Sequence, residues 1–319
     1  MLLGGEGCVI GLDVGGTVLK AVVVGPDGEV THRQRQPTMA AQGPDALLDR
    51  VVSMLSAMCG DLDRDGTPVT AVGLAVPGLV DETAGVVRFA ANLGLKDVQV
   101  TSIVSQRLGV PAYLGHDVRS GALAEGVLGA ACGVQDFLFL PVGTGIAAAV
   151  VLGGRVQVGT SGGAGEIGHL VVEADGPPCR CGARGCLETL ASASALARRY
   201  RELVPGPPLD ADVVAGLAAS GDPSAAAVWS SVVDVLGRAL AYAQSLLDLD
   251  LVVVGGGLAN AGNLLGDLGV VVASHLPWQK SPRLAKAALG DAAGSLGAAL
   301  VARAGGRAVH LGRDAGPSQ

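Results

Sequence analysis

Aromatic side chains are scarce in this chain: Phe, Trp and Tyr together make up 3% of 319 residues. Charge is also thin, with Asp, Glu, Lys and Arg at 16%. Polar low-complexity sequence does not fill the gap, because hydrophobic residues reach 49% and glycine occupies 50 positions. Such a composition suggests tight turns and close backbone approach and not low-complexity disorder. Basic residues are outnumbered, 22 against 29, for a net charge of −7. No basic face is visible, so nucleic acid is not expected as a partner. Nucleoside phosphates remain compatible, because backbone N–H groups, helix N-termini and Mg²⁺ hold phosphate without net positive charge.

The start, Met1 to Gly7, lacks a basic n-region and carries Glu6, so no signal peptide is expected and the protein reads as cytoplasmic. The longest uncharged stretch, Phe137 to Gly154, is broken by Pro141 and by Gly143-Thr144-Gly145. It reads as two short buried strands and not as a membrane span. Of the six cysteines, Cys179, Cys181 and Cys186 are crowded together, which in a cytosolic chain suggests metal over disulfide.

The length allows two ordinary domains or one large one. The first segment predicts a β-meander: Cys8–Val14, the Gly15-Gly16-Thr17 turn, Leu19–Val24, the Gly25-Pro26-Asp27-Gly28 turn, then Glu29–Arg35. Helical spacing follows over Pro44–Met58, a buried strand over Val69–Val76, a helix over Ile103–Leu108, a strand over Val110–Leu114 and a helix over Val118–Leu128. Leu140-Pro141-Val142-Gly143-Thr144-Gly145 before Ile146–Leu152 repeats the opening pattern, and an internal repeat sets architecture. Pro223–Leu247 predicts a long helix, Leu251–Val254 a buried strand, Ala292–Ala304 a final helix, and the tail from Gly305 is expected to fray. Strands alternating with helices indicate an α/β fold.

Three glycine turns stand at strand ends. Asp13 leads into Gly15-Gly16-Thr17 and Lys20; Gly143-Thr144-Gly145 is the second, and Gly255-Gly256-Gly257 the third. Glycine pairs let backbone approach phosphate oxygens, Thr adds a hydroxyl, and Asp13 can face Mg²⁺. None is a Walker A loop, which needs Gly-Lys-Ser/Thr entering a helix. A plain β-turn is the alternative for each. His169 with Cys179, Cys181 and Cys186 makes a Cys₃His set, the composition of a closed structural zinc site; three unligated thiols are the alternative. Asp13, Asp117, Glu166 and Glu188 are the candidate bases for a hydroxyl, and Asp117 could equally be a helix N-cap.

Together these residues resemble the ROK family of repressors, uncharacterised frames and sugar kinases, over about Gly11 to Ala302. The matching segments are Asp13–Lys20, Gly73–Gly78, Asn92-Leu93, Glu166–His169 and Cys179–Glu188. The resemblance implies a two-lobed actin/hexokinase-type (ribonuclease H-like) ATPase fold with the meander duplicated. ATP and a hexose or N-acetylhexosamine would lie in the cleft between lobes. Residues 1–117 with 292–312 would form the small lobe, on which the C-terminal helix packs back; residues 118–291 would form the large lobe with the zinc loop. It implies Asp117 as general base. Asn92, His116, Asp117, Glu166, His169 and Glu188 would contact sugar, His169 also ligating zinc. Asp13, Gly15, Gly16, Thr17, Lys20, Gly143, Thr144, Gly145, Gly256 and Gly257 would face ATP and Mg²⁺. A homodimer or homotetramer is expected. The family's repressors carry a DNA-binding domain before the first phosphate motif, and Asp13 is expected to leave no room for one. The chain departs from the pattern at His116, where most family kinases have Asn, and at Leu95, near a frequent Trp; both bear on the sugar pocket.

Overall fold

β-Branched runs broken by glycine turns build the first sheet. In the computed structural model, which describes residues 4–311, Cys8–Val14 (β1), Val18–Val24 (β2) and Val30–Pro37 (β3) form an antiparallel meander. Pro44–Arg64 (α1) starts with Pro in its first turn, where the missing N–H costs nothing. It buries Leu47, Val51, Met54, Leu55 and Met58 at helical spacing. Val69–Val76 (β4) pairs in parallel with β1. Leu79–Asp81 (β5), Val86–Ala90 (β6) and Leu95–Val98 (β7) then form a separate small antiparallel sheet. The sequence did not predict these strands, because three to five residues carry too little periodicity. Val100–Leu108 (α2) leads to Ala112–His116 (β8), parallel to β4, and Asp117–Leu128 (α3) follows directly. The sheet order is β3-β2-β1-β4-β8.

Phe137–Pro141 (β9), Ala149–Leu152 (β10) and Arg155–Val156 (β11) repeat the meander. The uncharged stretch is therefore two paired strands, as predicted. Leu187–Ala191 (α4), Ala193–Leu203 (α5), Ala211–Ala219 (α6) and Pro223–Leu247 (α7) precede Leu251–Gly255 (β12), which is parallel to β9. Leu264–His275 (α8) and Arg283–Lys286 (β13) complete the order β11-β10-β9-β12-β13. Each sheet is thus a meander joined in parallel to two further strands, and the expected duplication is present in the topology. By length and composition α7 could cross a membrane, but it buries Val228, Val232, Val233, Leu236 and Leu240 in the core of this second unit.

The chain divides into two compact units. Within the described residues the first comprises 4–133, 158–163 and 291–311, and the second 134–157 and 164–290. The first unit extends past the expected limit at Asp117 because α3, rich in Gly and Ala, packs on the C-terminal helix Ala293–Arg303. That helix also lies on β1 and β4. Glycine makes the approach possible: a Cβ on Gly11 would collide with the Ser295 carbonyl, and one on Gly73 with the Ala298 carbonyl. After the helix the described tail, Gly305 to Leu311, is irregular and mostly exposed. Leu311 is buried where Gly126 of α3 leaves room for it; residue 312 and those after it lie outside the described residues.

Candidate active site and metal centre

In the first unit, β1 ends at Asp13 and Val14, and Gly15-Gly16-Thr17 turns into β2. The turn is clamped from β3's exit: Thr38 Oγ1 donates to the Gly15 carbonyl at 2.6 Å, and Thr38 N–H donates to the Thr17 carbonyl at 2.8 Å. Gly16 faces Asn92, whose Nδ2 would lie 3.2 Å from a Cβ there. Leu93 is fully buried and anchors the β6–β7 turn that presents the exposed Asn92. Leu95, the other departure, is buried in the core of this unit. The Asp13 carboxyl backs onto the start of the C-terminal helix, where a Cβ on Gly294 would lie 2.9 Å from its Cγ. Burial pushes Asp13 up to about 7; Lys20 opposes the shift, and the charges of Asp117 and Asp291 add to it. Lys20 itself pairs with Asp291 at 3.6 Å, and Arg35 shares that carboxylate at 3.2 Å.

Asp117 is the first residue of α3, and His116 is its N-cap. The His116 Nδ1 accepts a long 3.5 Å hydrogen bond from Arg119 N–H and lies 3.3 Å from Asp117 Oδ1. Asp117 Oδ1 accepts from Val118 N–H at 2.7 Å. The cap expected as an alternative role for Asp117 thus belongs to its neighbour, and the carboxylate is left oriented and reachable, with 31% of its side chain exposed. Desolvation raises its pKa, against the Val118 N–H and the nearby Arg119. A recessed carboxylate at a strand-to-helix junction, near enough to Asp13 for the two charges to interact, can accept a proton from a hydroxyl.

The second unit uses its glycine turn differently. Glu188, in the first turn of α4, accepts from Ile146 N–H at 3.0 Å, and Gly145 leaves the space its carboxylate fills. Gly256, at φ +78, lies against the Val142 carbonyl, so the third glycine turn seats on the second; Leu258 N–H donates to the same carbonyl at 3.1 Å. Gly257 opens the short helix Gly257–Asn260. Thr144 lies between Gly143 and Gly145, whose backbone groups close the turn at 3.0 Å.

The Glu166–His169 segment folds as a single tight helical turn over Ile167–His169. Gly168 permits it to press on the Ile146 carbonyl, so Ile146 supports both this turn and Glu188. Glu166 is exposed at the turn's start. The ligand atoms of His169, Cys179, Cys181 and Cys186 all lie within 4.8 Å of one another. His169 Nδ1 is 3.6 Å from Cys179 Sγ, and Cys181 Sγ is 3.6 Å from Cys186 Sγ. A tetrahedral zinc with bonds of about 2.3 Å to sulfur sets ligand atoms about 3.8 Å apart, close to these two separations. Burial pushes the Cys186 thiol up to about 12, and the neighbouring sulfurs add to the shift, while the Ala183 N–H lowers Cys181. A divalent cation would relieve this crowding of thiols by holding them as thiolates.

Every predicted site residue falls into one of two groups. Asp13, Gly15, Gly16, Thr17, Lys20, Asn92, His116 and Asp117 belong to the first unit; the remainder belong to the second. Thr38, Glu82 and Arg119, which hold the first group in place, were not foreseen. A lone Thr after a strand and an Arg within a helix carry no local signal.

A family model for the ROK family matches residues 9–304. The chain belongs to the ROK family. Among its ROK relatives, a glucokinase of Thermotoga maritima is 32% identical over 92% of this chain and 96% of its own length. An N-acetylmannosamine kinase of Shigella flexneri is 30% identical over 92% and 98%. The crystal structure of a ROK glucokinase from Streptomyces griseus in complex with glucose and AMPPNP aligns with a TM-score of 0.78, at 30% identity over 93% of this chain and all of that one. The two-lobed actin/hexokinase-type fold expected of the chain is that of these structures.

Proposed function

We propose that this ROK chain is an ATP-dependent sugar kinase, transferring the γ-phosphoryl group to a hydroxyl of a hexose or N-acetylhexosamine. Asp117 carries the reading: an oriented, recessed but reachable carboxylate in the same unit as the Gly15-Gly16-Thr17 turn. Phosphoryl transfer asks little else of a protein beyond positioning and charge neutralisation. Asp117 accepts the proton of the sugar hydroxyl as its oxygen attacks the γ-phosphorus and the β–γ bridging bond breaks, releasing ADP. Asn92, Glu166, His169 and Glu188 hold the sugar. The glycine turns and their threonines, with Lys20, hold ATP through backbone N–H groups and hydroxyls.

Asp13 would hold Mg²⁺, directly or through water; a buried carboxyl crowded by Asp117 and Asp291 suits a hard cation. Mg²⁺, when bound, neutralises phosphate charge. His169, Cys179, Cys181 and Cys186 would hold a structural zinc, whose four protein ligands leave no open position for chemistry. His169, held to such a metal by one imidazole nitrogen, would keep its ring oriented with the other nitrogen free for a sugar hydroxyl. The cytoplasm is the proposed location, with a homodimer or homotetramer as the assembly.

The test is a coupled assay with ATP·Mg²⁺ across glucose, mannose, galactose and their N-acetylated amines, in wild type and His116→Asn. Turnover with at least one is expected; sugar binding without turnover would instead favour a regulatory protein. His116 lies against Asp117, and Asn also serves as an N-cap, so the variant keeps the helix start and alters the hydrogen-bonding shape beside the base. A change in sugar preference of about tenfold is expected, the worth of roughly one hydrogen bond. An unchanged ranking headed by glucose would remove His116 from the sugar site.

A further inference from the structure

Arg119 is a buried cation that the mechanism above leaves unused. Its side chain is 5% exposed. Nε donates to Glu82 Oε1 at 2.9 Å, and Nη1 donates to the Gly162 carbonyl at 3.0 Å. The same Glu82 oxygen accepts His116 N–H at 3.1 Å. One carboxylate, from the loop between β5 and β6, therefore fixes residues on both sides of Asp117. Gly162, at φ +80, belongs to the strap Val158–Gly163, which packs with the first unit beside Leu79 and Val80. Three residues further along the chain the strap leads into Gly165-Glu166. A planar fork reaches Glu82 and Gly162 together; a single lysine ammonium on a flexible stem does not.

We propose that Arg119, clamped by Glu82, is a positioning residue that orients Asp117 and pins the strap entering the Glu166–His169 turn. The orienting role rests on Asp117 being the base. The Arg119 charge also favours the Asp117 carboxylate against its desolvation. The other titratable neighbours are His116 and Asp13, with Lys20 and Asp291 beyond Asp13.

The experiment compares Arg119→Lys, Arg119→Met, Glu82→Gln and Asp117→Asn by steady-state kinetics, pH profile, thermal melting and hydrogen exchange of residues 158–163. In Arg119→Lys, kcat should fall about 10²-fold while KM for ATP stays within about twofold. The acid limb of kcat/KM should hold its place, because the charge remains, and the strap should exchange faster. Arg119→Met should add a shift of the acid limb to higher pH. Glu82→Gln keeps an acceptor and is the variant least disturbing to folding; its losses should be smaller and in the same direction. Wild-type kcat and strap exchange in Arg119→Lys would overturn the proposal. So would losses in all three variants that vanish once rates are corrected for folded fraction. Retained turnover in Asp117→Asn would sink the base and the orienting role together, while strap exchange would still decide the tether.

Discussion

The two glycine turns occupy equivalent places in two sheets of the same strand plan, yet they are finished by different means. In the first unit a neutral hydroxyl, Thr38, clamps the turn, and β8 leads straight into a helix that starts with Asp117. In the second unit a carboxylate, Glu188, takes the N–H of Ile146 after the turn, and β13, the counterpart of β8, ends at Lys286 and Ala287 with no acidic residue there. The second unit instead gathers three thiols and an imidazole into one cluster. The topology is duplicated and the chemistry is not. A single proton acceptor suffices for phosphoryl transfer, so one copy of the meander is free to specialise in holding ligands.

The sharpest way to break this contrast is to remove the acid from the copy that has it. Asp117→Asn should lower kcat by about 10²–10⁴-fold with nucleotide affinity nearly intact. Comparable turnover in the variant, read by steady-state kinetics with a nucleotide-binding titration beside it, would erase the asymmetry.

Next in size is the metal cluster. Cys181→Ser should abolish a stoichiometric zinc seen by elemental analysis, lower Tm, and raise KM for sugar while sparing KM for ATP. The sugar effect follows because His169 would lose the partner that orients its ring. Native protein without zinc would leave the cluster as three ordinary thiols.

The two clamps can be set against each other. Thr38→Val removes one hydrogen bond to the Gly15 carbonyl, should cost about 1 kcal/mol of stability, and should raise KM for ATP more than for sugar. Glu188→Gln can still accept from Ile146 N–H but loses its charge, and should weaken sugar use by about tenfold with little change in Tm. If both variants weaken the same ligand, the division of labour between the turns is wrong.

The pH dependence of stability gives an independent check on the first unit's acids. Asp13 ionises at about 7 when folded, against an ordinary value of 3.8. The folded chain thus holds a proton that the unfolded chain has released, so this group's contribution is greatest below 3.8 and declines as pH rises to about 7. Asp13→Asn abolishes the decline. The Tm difference between variant and wild type should be small near the ordinary carboxylate range, grow through neutrality and then level off. A difference independent of pH would mean Asp13 ionises normally.

Legibility tracked the range of the forces involved. Gly15-Gly16-Thr17, Gly143-Thr144-Gly145 and the β-branched runs around them predict the duplicated meander because turn chemistry and strand propensity act within a few residues. The Cys179–Cys186 spacing and His169 predict one metal set for the same reason, since a tight turn through Gly182 brings the thiols together locally. On position alone Asp117 was legible as an acid at a strand end, base or cap, and only the family resemblance singled out the base. The structure adds His116 in the cap position and Val118 N–H on the carboxylate. Thr38, Glu82 and Arg119 left no trace in the sequence pattern. Their partners Gly15, His116 and Gly162 lie 23, 34 and 43 residues away. The sequence by itself determined the strand plan, the turns and the Cys₃His set of the candidate metal cluster. Only the tertiary structure decided which carboxylate is oriented and what holds it, because a buried ion pair or clamp forms only once separate elements have packed and excluded water.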